Sequence, residues 1–292
     1  MRNLFFFSIV IPTYERPGQL ASCLQALTLM DYPLERFEVI VVDDGGAQSL
    51  ESVIEPFRGR LDIKLFAQKN TGPAGGRNFG AAQARGEFLA FIDDDCAPAA
   101  VWLRALASSF VKTPEHLIGG RTLNALKHNP YAETSQLIIE VVYAHFNVDP
   151  NDARFFASNN FALAAERFRE MKGFDESFNT SEDREFCDRW RERGYGMTHA
   201  PEAVVYHAHD LTLRSLWRQH FGYGRGARRF HQTRAAKGRG RFQPDFNFYF
   251  KLLRAAASPA RKARALQLTT LLCWSQLANA AGFFYERYKP KT

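Results

Sequence analysis

Three adjacent carboxylates, Asp93, Asp94 and Asp95, follow the apolar run Phe88-Leu89-Ala90-Phe91-Ile92. Like charges at the tip of a buried strand repel, and desolvation adds to the cost. A cation relieves both. Hard oxygen ligands at a strand end suit Mg²⁺ or Mn²⁺ bound together with a substrate phosphate. The plain alternative is an acidic strand-to-loop turn in water. A second pair, Asp43-Asp44, ends the run Val39-Ile40-Val41-Val42 and precedes Gly45-Gly46. A carboxylate there can accept from a nucleobase N–H or a ribose hydroxyl, or else cap the next helix. The glycine-rich segment Asn70-Thr71-Gly72-Pro73-Ala74-Gly75-Gly76-Arg77-Asn78 opens a helix. Its backbone N–H groups can approach an anion, and its glycines can equally serve close helix–sheet packing. It matches neither the dinucleotide fingerprint nor the P-loop.

Two further groups carry possible chemistry. Ser181-Glu182-Asp183 starts a helix, with Ser181 as expected N-cap and Asp183 in the first turn, where the helix dipole favours its ionised form. Phe186 and Trp190 follow on the buried stripe, so Asp183 borders it and is a candidate general base. Glu182 stands beside the same stripe and spacing does not separate the two. His207 and His209 flank Ala208 at a strand end and point to one face, so one imidazole could complete a divalent site.

Positioning these groups requires a layered scaffold. Strands are expected at Ser8–Pro12, Phe37–Val42, Ile63–Phe66 and Phe88–Ile92. Helices are expected at Pro17–Leu29, Leu50–Phe57 and Gly76–Ala84. Such alternation predicts an α/β fold with a mainly parallel sheet and helices on both faces, ligands lying beyond the carboxyl ends of the strands. Beyond residue 96 the pattern is mixed: a helix over Ala99–Val111, strand fragments within Phe155–Leu163 broken at Asn159-Asn160, a helix over Ser181–Arg193 and a strand over Ala203–His207. Residues 121–160 have no readable code. From Leu211 the chain is helical, basic and aromatic, with Arg234–Arg241 expected as a flexible loop.

Charge divides the chain. Residues 1–210 hold 21 basic and 29 acidic side chains, a balance of −8. Residues 211–292 hold 17 basic side chains against Asp245 and Glu286 alone, a balance of +15. A tail of this kind is expected to meet an anionic partner such as a membrane face. Residues 265–285 carry no charge, but six polar side chains dilute them. A helix packed on the protein or lying at a membrane surface is expected rather than a span. Met1-Arg2-Asn3 runs into a strand pattern without a convincing leader. Cys23, Cys96, Cys187 and Cys273 are widely spaced, which argues against a zinc site or disulfide framework and fits a reducing compartment.

Taken together, the order of these elements resembles family 2 glycosyltransferases of the GT-A fold, from Ser8 to about Arg229. The matching segments are Ser8–Tyr14, Val41–Gly45, Asn70–Gly80 and Gly86–Asp95 with its DxD motif. Asn159-Asn160, Lys172–Glu176, Glu182-Asp183, and His207 with Tyr223–Gly226 continue the match. The resemblance implies a nucleotide-sugar-binding mixed sheet flanked by helices (residues 1–210), followed by a basic helical region (residues 211–292) that could associate with a membrane. It implies that Pro12, Thr13, Tyr14 and Glu15, with Asp43 or Asp44, hold the base and ribose of a nucleotide-sugar. Gly75, Arg77, Asn78, Asp94 and Asn160 join that donor site. Asp93 and Asp95 would serve the ribose and the metal–diphosphate, with His207 a further ligand of Mn²⁺ or Mg²⁺. Asp183, or Glu182, would deprotonate the acceptor hydroxyl. The implied reaction is inverting, metal-dependent transfer of one sugar, with UDP the commonest donor nucleotide, to a glycan or lipid-linked acceptor. The implied setting is cytoplasmic, peripheral at the inner membrane face. Two departures stand out. The usual double glycine before Phe-Asp-Glu reads Lys172-Gly173, and the Q-x-x-R-W motif of processive synthases is missing near Trp217.

Two other readings use the same residues. A sugar-phosphate nucleotidyltransferase also needs acids and a metal, but its glycine-rich basic loop after the first strand is replaced here by Thr13-Tyr14-Glu15-Arg16. A nucleic-acid-binding protein would use the basic, aromatic tail and leave the acidic groups unexplained, which makes nucleic acid the weaker partner.

Overall fold

The computed structural model describes residues 4–240 and 242–288. Met1–Asn3 and Arg241, which ends the glycine- and arginine-rich stretch, lie outside the described residues. The chain forms two compact units.

The first unit comprises residues 1–123, 149–177 and 183–208 and carries one eight-stranded sheet. Its elements are β1 (Phe7–Thr13), α1 (Pro17–Leu27), β2 (Phe37–Asp43), α2 (Glu51–Ile54), β3 (Ile63–Ala67), α3 (Gly72–Ala82) and β4 (Phe88–Ile92). They continue with β5 (Cys96–Pro98), α4 (Trp102–Lys112), β6 (Leu117–Asn124), β7 (Asn160–Ala164), α6 (Ala165–Glu170), α7 (Glu182–Glu192) and β8 (Met197–His207). The label α5 belongs to the helix Pro130–Phe146 of the other unit. The strand order is β3-β2-β1-β4-β7-β6-β8-β5. β1, β2, β3 and β4 pair in parallel, whereas β7 runs antiparallel to β4 and β6, and β5 antiparallel to β8. The sheet is therefore mixed rather than mainly parallel.

The apolar runs explain the buried strands. Every residue of β1, β2 and β4 is buried, as expected when helices cover both faces. Leu20, Cys23, Leu24 and Leu27 of α1, with Trp102, Leu103, Leu106 and Phe110 of α4, close the core on one face. On the other face α3 lies close to β1: a Cβ at Gly80 would stand 2.5 Å from Val10 Cγ1. The expected helices begin or end a few residues away from their predicted limits. Of the expected strand fragments within Phe155–Leu163, only the part from Asn160 is strand: Asn160, expected in the break, instead begins β7 (Asn160–Ala164).

The second unit comprises residues 124–148, 178–182 and 209–292. Its helices are α5, α8 (Leu213–Ala236), α9 (Phe246–Ala256) and α10 (Ala265–Tyr288). α5 was invisible to pattern reading because its apolar residues do not keep one face; Asn129 caps it by accepting from the Tyr131 and Ala132 N–H groups. Leu137 and Val141 of α5 pack with Leu252 and Ala256 of α9 and Leu268 and Leu272 of α10. α8 and α10 cross in backbone contact, since a Cβ at Gly224 would meet the Asn279 carbonyl. α8 is helical through Ala236, so the expected loop at Arg234 begins later. Among the described residues no helix is long and apolar enough to cross a membrane.

A carboxylate at the amino end of β2 ties three strands of the first unit together. Glu38 is fully buried. It accepts from Ser8 Oγ (2.6 Å), Lys64 Nζ (2.8 Å), the Arg85 backbone N–H (2.7 Å) and Arg85 Nε (2.9 Å). Burial alone would raise its pKa, but the bonds from Lys64, Ser8 and Arg85 outweigh burial and lower it to about 2. The folded value lies below the unfolded one, so this stabilisation is present above the ordinary glutamate range and disappears as pH falls towards 2. Glu38→Ala is expected to cost about 3 kcal/mol at pH 7. Denaturant titration at pH 7 and pH 3 checks this, with the gap between variant and parent shrinking at the lower pH.

Candidate functional site

Parallel pairing sets the site. Thr13 of β1 is in register with Asp43 of β2, and Val10 with Phe91 of β4. The carboxyl ends of the three strands therefore deliver Thr13, Asp43 and the 93–95 acids to one edge. There the acids are answered one by one. Thr13 Oγ1 donates to Asp94 Oδ2 at 2.7 Å. Arg16 Nη1 bridges Asp94 Oδ1 (3.3 Å) and Asp95 Oδ2 (3.2 Å). The buried guanidinium of Arg77 donates from α3 to Asp93 Oδ1 at 2.5 Å. β8 pairs with β5 so that His207 faces Cys96, and His207 Nε2 stands 3.1 Å from Asp95 Oδ1.

The electrostatics follow from this packing. Burial raises the pKa of Asp94 to about 6; Thr13 and Arg16 pull it down, while Asp95 and Asp93 push it further up. Burial draws His207 down, yet its bond to Asp95 and the charges of Asp95 and Asp93 carry it above the ordinary histidine value. Asp95, Cys96 and His207 each present one ligand atom, all within 4.8 Å of one another. The Cys96 thiol is buried and pushed well above its usual range by burial and the neighbouring aspartates, so it is a protonated soft donor unsuited to a hard cation. Asp95 and His207 make the oxygen and nitrogen pair that fits Mn²⁺ or Mg²⁺. His209 falls in the second unit, with Gln219 Nε2 3.4 Å from its Nδ1. Of the two histidines, His207 is the one beside Asp95.

Several expected donor contacts have other work. Asp44 accepts from the Thr71 N–H (3.0 Å) and the Gly72 N–H (2.8 Å) at the start of α3, and from Gln68 Nε2 (2.6 Å). The anion at this helix N-terminus is thus the chain's own carboxylate. Gly75 is buried, and a Cβ there would run into the Thr71 side chain. Asn160 is fully buried, accepting from Trp102 Nε1 (2.9 Å) and donating to the Ala203 carbonyl (3.0 Å). It braces the sheet. Asn78 donates to the Phe174 carbonyl and Glu176 Oε1, both at 2.9 Å, and accepts from the Phe174 N–H at 2.8 Å. It pins the Lys172–Glu176 turn.

Asp43 spends Oδ1 on the Gly46 N–H (2.8 Å) and has Oδ2 left to accept. Pro12 is buried beside α3, while Tyr14 and Glu15 are exposed beyond β1. Asp183 opens α7 half-buried, its Oδ1 accepting from the Arg184 N–H (2.7 Å), whereas Glu182 is buried. Exposure favours Asp183 as the group that meets an acceptor. Arg16 was missed as a site residue, although its place three residues past Thr13 at a parallel strand end was the available signal.

Strain collects in these segments. Among the described non-glycine residues only Glu15 (φ 53°), Lys172 (φ 60°) and Ser181 (φ 68°) adopt left-handed backbone. Ser181 therefore lacks the extended φ of the expected ordinary N-cap. Lys172, at a backbone position that glycine adopts without penalty, bears a left-handed cost of about 1–3 kcal/mol. Its side chain is exposed. Lys172→Gly is expected to raise stability by about 1 kcal/mol, read as a higher denaturation midpoint with an unchanged slope.

Comparison with known proteins follows the same outline. A family model described as Glycosyl transferase family 2 matches residues 8–171. Glycosyltransferase AglE of Haloferax volcanii is 34% identical over 120 residues, 40% of this chain and 40% of that protein. The pre-mycofactocin glycosyltransferase of Mycobacterium tuberculosis is 31% identical over 200 residues, 66% of this chain and 42% of that protein. The chain thus spans less than half the length of these curated relatives. Among solved structures, the mannosyltransferase PcManGT from Pyrobaculum calidifontis, in complex with GDP-Man and Mn²⁺, superposes with a TM-score of 0.70. It is 16% identical, covering 98% of this chain and 88% of that one. TarS 1-349 of S. aureus, in complex with UDP-GlcNAc, gives 0.56 at 15% identity, covering 97% and 90%. The structural likeness is one of fold, the GT-A fold.

Proposed function

The chain belongs to glycosyl transferase family 2, and from that membership we propose an inverting, metal-dependent transferase that moves a single sugar from a nucleotide-sugar to a hydroxyl of a glycan or lipid-linked acceptor. The observation that carries the proposal is the edge where Asp43, Asp93, Asp94 and Asp95 meet Thr13, Arg16, Arg77 and His207. Relatives add support: the solved neighbours hold GDP-Man with Mn²⁺ or UDP-GlcNAc. UDP is the donor nucleotide of first choice. A cytoplasmic enzyme, with residues 211–292 meeting an anionic membrane face, completes the reading.

Each residue then has a task. The Thr13–Glu15 segment and Asp43 Oδ2 hold the nucleoside, with Asp93 oriented by Arg77 toward the ribose. Asp95 and His207 would hold the divalent ion, which when bound would supply positive charge against the departing diphosphate. Arg16 lies across Asp94 and Asp95 and adds a second positive charge at that edge. Asp183 accepts the proton of the acceptor hydroxyl as its oxygen attacks the anomeric carbon. The carbon–oxygen bond to the nucleoside diphosphate breaks on the opposite side, the diphosphate keeps the electron pair, and configuration inverts.

Calorimetry with UDP, GDP and dTDP, each with and without Mn²⁺, is the direct test. One diphosphate should bind in a Mn²⁺-dependent way and Asp95→Ala should abolish that dependence; equal affinity with and without Mn²⁺ in the parent would reject the metal role. Asp183→Asn should keep donor binding and lose at least ~10²-fold in turnover. Near-normal transfer by that variant would remove Asp183 as the base.

A further inference from the structure

The second unit contains a groove of about 510 Å³ between α8 and α10. Its walls are apolar and cationic: Phe242, Phe283 and Phe284 face Arg228, His231 and Arg287, and among the described residues no carboxylate lines it. The arginines of α8 show why this matters. Arg225 and Arg228, three residues apart, lie on one face of the helix. Arg225 reaches α10 and bonds Glu286 at 2.7 Å. Arg228 reaches α10 and stands over the Phe283 ring, its guanidinium carbon 5.5 Å from the ring centre. Arg228 Nε is buried and, among the described residues, has no hydrogen-bond partner. A buried guanidinium N–H without an acceptor is costly, and an oxyanion entering the groove would relieve it. Arg287 is exposed at the rim. The same end of α10 exposes Phe284, Tyr285 and Tyr288, rings of the kind that settle at the headgroup level of a bilayer.

We propose that this groove is a binding site for the phosphate of an anionic lipid, with the guanidinium groups of Arg228 and Arg287 on the phosphate oxygens and the aromatic walls beside the first carbons of the lipid. Charge complementarity selects this occupant, since residues 211–292 carry the balance of +15 and the described lining of the groove is cationic and without an acid. The site deepens the membrane-facing reading of the C-terminal region and makes no use of the donor edge.

Co-sedimentation of the full chain with phosphatidylcholine vesicles, with and without phosphatidic acid, tests it. The parent should bind the anionic vesicles and not the neutral ones. Arg228→Gln and Arg287→Gln should each weaken binding about fivefold. Lys112→Gln, which removes the same charge from α4 of the first unit, should change it less than about twofold. Arg287 is exposed, so its variant keeps the assay meaningful should Arg228→Gln fold poorly. Equal losses in Arg287→Gln and Lys112→Gln, with the parent still bound, would overturn the groove while leaving a general membrane attraction. Calorimetry with inorganic phosphate separates the sources. Phosphate binding that depends on Arg228, without vesicle binding, would overturn the lipid assignment in favour of a free anion. Absence of both binding events in protein that still takes up a nucleoside diphosphate would overturn the groove and leave the transferase reading intact.

Discussion

The repulsion among Asp93, Asp94 and Asp95 is the constraint around which the first unit is arranged. Three carboxylates at the end of a fully buried strand need compensation from other elements, and each source comes from a different part of the chain. β1 contributes Thr13 and the following turn Arg16, α3 contributes Arg77, and β8 contributes His207. The parallel pairing of β1 with β4 places the first two, the glycine-lined approach of α3 to β1 places the third, and antiparallel pairing of β8 with β5 places the last. Burial is the main cause of the upward displacement of Asp94, opposed by Thr13 and Arg16 and reinforced by Asp95 and Asp93.

The same edge is linked mechanically to the candidate base. Arg77 holds Asp93, and its neighbour Asn78 holds the Phe174 backbone on both sides. Arg189 of α7 bonds the carbonyls of Met171 and Gly173 as well as the buried Glu185 of its own helix. α3, the Lys172–Glu176 turn and α7 are thereby joined by polar contacts with little freedom. Asp183 begins the helix so anchored. The left-handed residues Lys172 and Ser181 lie at the two bends of this path, where position rather than local preference decides the backbone.

Several residues that look like ligand contacts serve the scaffold. Asp44 fills the helix N-terminus that a phosphate would otherwise take, and Asn160 ties Trp102 to β8. Polar groups in buried positions must be satisfied, and both residues meet that demand with partners from within the chain.

The sequence by itself determined the βα alternation, the strand ends at which the acids stand, and the charge division near residue 210, because burial and periodicity are written locally in Phe88–Ile92 or Val39–Val42. It also offered Asp93 and Asp95, Asp183 beside Glu182, and His207 beside His209 as candidates, without separating the members of the last two pairs. Tertiary structure decided what spacing cannot encode. Arg16 and Arg77 became partners of the acids only through strand register and helix docking. Asp43, the last residue of β2, and Asp44, just beyond it, accept from different elements, Asp43 from the Gly46 N–H and Asp44 from the start of α3. Glu182 and Asp183 were separated by burial, and His207 and His209 by compact unit. Helix α5 emerged from a stretch without a clear pattern because its faces are covered unevenly by α9 and α10. Long-range packing made each of these choices, and no window of local sequence contains the partner that makes it.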